Sequence, residues 1–191
     1  MNFDTKHLVR WGIPGWILIM ILGPFIYIQF QTSIEKFIED SNTLALGAFL
    51  TVIGVPLGYL LNQIHHSLFW VIKKIKISRK IKKQDEWYKY FRQEIQVDKM
   101  FFKDELGQRK KERYQYLLNR KHELGGVTVS LGIVCLVQII VNCIKGTILG
   151  WPMIYFVLSL LLLGIISISR WYSSKNIDKY FEQYVKESKY L

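Results

Sequence analysis

Charge is missing from most of this chain. No Asp, Glu, Lys or Arg occurs in residues 11–34, 41–72, 124–144 or 146–169. A soluble domain cannot leave four such runs without charge, because its surface must stay hydrated. Acidic residues are scarce overall, 15 against 26 Lys and Arg. None of them lies inside an uncharged run, so the mid-depth ionisable group of a proton-coupled carrier or an ion-driven pump is absent. The only two cysteines, Cys135 and Cys143, share one apolar segment. No disulfide framework is available to them, and neither has a Cys or His partner at metal-ligand spacing. His65 and His66 lie about 100° apart around a helix and cannot close on one ion. No metal or other cofactor is therefore expected. Serine-hydrolase, P-loop, H-E-x-x-H and dinucleotide signatures are also missing, so the chain does not read as an enzyme. No internal repeat or low-complexity tract is present.

The charge that does occur is concentrated. In Lys73–Lys83, seven of eleven residues are basic: Lys73, Lys74, Lys76, Arg79, Lys80, Lys82 and Lys83. Each would cost about 2.5 to 3.5 kcal/mol at the centre of a bilayer, so this block stays in water. Residues 73–123 carry a net +9, residues 170–191 +2 and residues 1–10 +1, whereas residues 31–43 carry −2. The positive-inside rule places the first three in the cytoplasm and the acidic segment outside. The fold class predicted is all-α: a polytopic membrane protein with four transmembrane helices and a small helical cytoplasmic region. Its parts are a first transmembrane hairpin (1–72), a basic helical cytoplasmic insert (73–124), a second transmembrane hairpin (125–170) and a cytoplasmic amphipathic C-terminal helix (171–191). The expected location is the bacterial inner membrane.

The first run has Gly23-Pro24 near its middle, which predicts a kink. Residues 31–43 read as a short acidic loop. In the insert, 84–106 (Trp87, Phe91, Ile95, Phe102) and 108–124 (Tyr114, Leu117, Leu118) read as two amphipathic helices broken near Gly107. An insert of about fifty residues is too small for a robust core, so it is expected to lean on the membrane, on the C-terminal tail or on neighbouring copies. Gly125-Gly126 marks the return to the membrane, and Lys145 closes the third span. Trp151-Pro152 opens the fourth, as interfacial Trp and first-turn Pro both favour. In the tail, Ile177, Tyr180, Phe181, Tyr184, Val185 and Leu191 share one face.

Two stripes of small and polar residues are candidates for function. Gly47, Thr51, Gly54, Gly58, Asn62 and His65 follow at spacings of 4, 3, 4, 4 and 3 and share a helix face. Thr128, Cys135 and Asn142 recur every seven residues, with Gln138 between the last two. One reading is packing, since small residues let helices approach and amides bond across helices. The other is a wet path lined by neutral polar groups, which needs several copies of a four-helix chain. The basic block has two readings as well. Seven cations near anionic lipid contribute about 1 kcal/mol each with no specific ligand. Alternatively, Arg109, Lys110, Lys111 and Arg113, with aromatic residues in the same insert, suit a nucleotide or nucleic acid.

Size, four spans, a basic insert after the second span and cytoplasmic ends together make an architecture that resembles the small tetraspan membrane subunits of bacterial antiphage systems. Examples are the membrane subunit of the Kiwa system and the channel-type effectors of nucleotide-signalling systems. The resemblance implies a homo-oligomer, with a tetramer favoured, that permeabilises the membrane or anchors a soluble partner. The first expectation is accordingly a non-enzymatic oligomeric effector that forms or gates an ion pathway in response to a polyanionic ligand. The alternative is a membrane scaffold recruiting a cytosolic protein, including one that binds nucleic acid.

Overall fold

A computed structural model describes residues 5–39, 42–68, 99, 105–147 and 150–187. Among these every regular element is a helix: α1 (Thr5–Gln29), α2 (Gln31–Glu39), α3 (Thr43–His66), α4 (Glu105–Lys145) and α5 (Trp151–Glu187). Four contain segments long and apolar enough to cross a membrane, at Trp11–Gln29, Leu44–His66, Gln108–Lys145 and Trp151–Tyr180. Hydrocarbon offers no partner for backbone N–H and C=O groups, so an apolar run of this length satisfies them internally as helix. The protein is a multi-pass membrane protein.

Local chemistry sets the helix ends. Asn42 caps α3, its Oδ1 accepting from the Leu44 and Ala45 N–H groups at 3.1 and 3.4 Å. Lys145 ends α4 because Gly146 takes φ +64°, and the Thr147 N–H closes back on the Asn142 carbonyl at 3.2 Å. This is the six-to-one bond of a Schellman stop. Before α5, Gly150 has φ +107° and its carbonyl accepts from the Met153 and Ile154 N–H groups.

Three elements differ from the sequence expectations. Residues 31–39 form α2 rather than a loop. The Gln31 side chain donates to Glu35 at 2.8 Å, and the Tyr27 hydroxyl donates to the same oxygen at 3.0 Å. The break expected near Gly107 is absent, because α4 starts at Glu105 and continues through it. Helix α4 also runs unbroken through Gly125-Gly126 for 41 residues, about 60 Å at 1.5 Å per residue. The tail is no separate helix either, since α5 continues from its span to Glu187.

The chain divides into two compact units, Met1–His65 with Glu123–Ile168, and His66–His122 with Ser169–Leu191. In the first, α1 and α3 run antiparallel, with the Trp11 and Tyr59 rings edge to face at 5.6 Å. Helix α4 runs parallel to α1, because the Ser130 hydroxyl bonds the Pro14 carbonyl near one end and the Gln29 amide bonds Asn142 near the other. Phe25, Leu61, Leu131 and Val134 fill the core of this unit. In the second unit Ile177 is buried, and the Tyr180 hydroxyl donates to the Lys110 carbonyl at 3.3 Å. One of the tail's apolar residues and one of its aromatic hydroxyls are thus engaged within this unit. Residues 84–98 and 100–104 of the helix expected at 84–106, and the whole basic block, Lys73, Lys74, Lys76, Arg79, Lys80, Lys82 and Lys83, lie outside the described residues.

Candidate functional site

The first stripe belongs to a three-helix contact within the first unit. A Cβ placed on Gly58 would fall on the Trp11 carbonyl oxygen and 2.9 Å from the Gly15 nitrogen. A Cβ on Gly15 would fall on the Gly54 carbonyl and 2.6 Å from the Gly58 nitrogen. The two backbones touch there, as only glycine permits. Trp16 covers Gly54 and donates its indole N–H to the Thr51 carbonyl at 2.9 Å. On the other flank, the His65 imidazole occupies the place a Cβ of Gly125 would take, and the Asn62 Oδ1 that of Gly126. The tandem glycines of α4 therefore let α3 approach closely without ending the helix. Their helix-propensity cost of about 1 kcal/mol each is offset by the packing they permit.

The six residues of that face do not share one environment. Gly54, Gly58 and His65 are buried and Asn62 is half-buried, but Gly47 and Thr51 are exposed. Nothing lies within 4 Å of a Cβ at Gly47, and the Thr51 hydroxyl turns back to the Gly47 carbonyl at 2.9 Å. Packed helices cross, so they separate on either side of their closest approach, and the upper part of the stripe loses its neighbour.

The second stripe faces the same interior. Thr128 donates to the Leu124 carbonyl at 2.7 Å, while Cys135 is buried. Asn142 accepts from Gln29 Nε2 at 2.7 Å and from the Thr147 hydroxyl at 3.2 Å, and Gln29 Nε2 also donates to Thr147 Oγ1 at 2.9 Å. Lys145 donates to the Gln29 carbonyl and sits 3.9 Å above the Phe30 ring, completing a polar latch at this end of α1 and α4. Gln138 differs from the rest. It is fully buried, yet among the described residues neither its Nε2 nor its Oε1 finds a hydrogen-bond partner. The α1–α4 pairs are separated by 116 residues at Ser130 and 113 at Asn142, which sets Gln138 level with residues 22–25, where Pro24 interrupts the hydrogen bonding of α1.

Compared with protein-family models, with curated proteins and with solved structures, the chain matches none. What it does must be argued from its own residues.

In the second unit, Arg109 and Arg113 are exposed while Lys110 and Lys111 are half-buried. The Arg113 guanidinium lies 5.8 Å from the centre of the Tyr180 ring, a cation–π approach that holds it against α5. Among the described residues, no group of three or more His, Cys, Asp or Glu is placed to hold a metal ion. His65 is buried and His66 exposed, as their 100° separation requires.

Sequence reasoning missed Gly15, Trp16, Gln29, Ser130 and Thr147, and it took Gly125-Gly126 for a boundary. The glycines near Pro14 were a usable signal, because a small-residue stripe on one span needs a matching small residue on the span it touches.

Proposed function

We propose that this chain is a non-enzymatic membrane subunit whose spans hold a basic helical region at the cytoplasmic face of the bacterial inner membrane. That region captures a polyanionic surface, in the first instance anionic lipid headgroups, and recruits a cytosolic partner there. The observation that carries this reading is the division of labour among polar groups. Within the spans, Asn62, Thr128, Ser130 and Asn142 are engaged in contacts of the chain with itself, whereas Arg109 is exposed and Arg113, though it lies over the Tyr180 ring, is exposed as well. Those two arginines stand four apart on one face of α4, close enough for both to reach one anion. Arginine is the side chain best suited to bidentate contact with phosphate.

The test is vesicle binding and co-purification by the full chain in detergent, with Arg109, Lys110, Lys111 and Arg113 all changed to Glu. Loss of anionic-vesicle clustering and of a stoichiometric partner, with oligomeric state unchanged, is expected. Full retention of both would refute the reading. Orientation is checked separately with Lys110→Cys in a Cys135→Ala, Cys143→Ala background, which is expected to resist an impermeant thiol reagent in intact cells.

Gln138 favours a second reading, an ion pathway in a homo-oligomer, with the four copies that the resemblance to small tetraspan antiphage subunits implies. A buried amide without a partner costs about 1 to 3 kcal/mol, and a path for water or ions would account for keeping it. Conductance in planar bilayers that disappears in Gln138→Leu and Asn62→Leu would support this reading over the first. Silence under all conditions would remove it. Phage challenge of cells carrying either set of variants tests the antiphage role suggested by the tetraspan layout.

A further inference from the structure

Where α4 ends and α5 begins, at the end of α4 away from its basic half, the first unit holds a pocket of about 330 Å³. Ile139, Asn142, Cys143, Gly146, Thr147, Met153 and Phe156 line it. The volume lies at the lower end of the range for small-ligand sites. Two polar residues in the wall, Asn142 and Thr147, are satisfied by each other and by Gln29, so the pocket presents hydrocarbon rather than hydrogen-bonding groups. Its walls come from residues inside the membrane-spanning segments and the turn joining them. In that setting the surrounding solvent is acyl chain.

Lys145 stands next to Gly146 of this wall. Its ammonium is fixed by the Gln29 carbonyl and the Phe30 ring. An ammonium has three donors, and one hydrogen bond leaves two for an anion. We propose that this pocket is a binding site for one anionic phospholipid, with an acyl chain against Cys143, Met153 and Phe156 and the phosphate on Lys145. The polar latch thus has a second role: it turns amides inward to leave a dry wall, and it fixes a cation on the residue that precedes Gly146 of that wall. This is a different surface from the basic region of α4, so either proposal can fail without the other.

Native mass spectrometry of the protein, released from its membrane in mild detergent, is expected to retain about one phospholipid per chain, enriched in phosphatidylglycerol over phosphatidylethanolamine. Cys143→Trp fills the pocket and is expected to abolish retention. Lys145→Gln is expected to keep the lipid but to lower the headgroup preference about tenfold, the value of one charge-assisted hydrogen bond. Equal retention by Cys143→Trp, or an unchanged preference in Lys145→Gln, overturns the proposal. A third measurement does not depend on the tryptophan variant folding. Exposed Cys143, studied with Cys135→Ala, is expected to react more slowly with a thiol reagent when phosphatidylglycerol is added to delipidated protein. An unchanged rate also overturns the site.

Discussion

Gly58→Ala against Gly47→Ala sets two identical substitutions on one sequence stripe at odds with each other. At Gly58 the added methyl meets the Trp11 carbonyl and the Gly15 backbone, and backbone atoms cannot rotate away as a flexible side chain can. The helices must part, at the overpacking cost of about 1 to 3 kcal/mol. Separation also strains the indole bond from Trp16 to the Thr51 carbonyl, which contributes about 1 kcal/mol. Alanine's better helix propensity returns about 1 kcal/mol in both variants. Gly47, with open space around its Cβ position, takes only that gain. The two variants are therefore expected to differ by about 2 to 4 kcal/mol, with Gly47→Ala at or above the unsubstituted protein. Detergent-mixture unfolding followed by tryptophan fluorescence measures this directly, since Trp16 sits in the contact. Equal stabilities for the two variants would refute the close approach of α1 and α3 and the packing account of the stripe.

Gly125→Ala and Gly126→Ala meet side chains of His65 and Asn62 rather than backbone, so each is expected to cost less than Gly58→Ala in the same unfolding assay. Gln138→Met removes a buried amide with no partner and is expected to stabilise the protein by about 1 to 3 kcal/mol, a sign that thermal unfolding reads at once. Gln29→Leu and Asn142→Leu break the same latch, so the double variant is expected to lose less than the two single losses combined, by at least about 0.5 kcal/mol in a double-mutant cycle. Tyr180→Ala removes both the bond to the Lys110 carbonyl and the ring under Arg113, and is expected to raise amide exchange at the start of α4 while leaving residues 123–145 protected.

Some features were legible without coordinates because they are properties of each segment taken alone. A run such as 44–66 is helical whatever its neighbours, since hydrocarbon gives its backbone no other partner. The end of the third span at Lys145 is equally local. The all-helical fold and its four apolar helices followed from that. Where small residues matter is a different kind of fact. Gly47 and Gly58 look alike on a helical wheel, but only the crossing point of α1 and α3 puts one in a contact and the other in the open. Gly125-Gly126 reads as punctuation until the imidazole and amide of α3 are seen in the space their missing side chains leave. Likewise the uncharged runs of the sequence determined how many helices can cross a membrane, because the bilayer acts on one segment at a time. Only the tertiary structure decided that Asn142 is latched to Gln29 and Gln138 is buried without a partner, because hydrogen bonding depends on which helix stands opposite, and at what register.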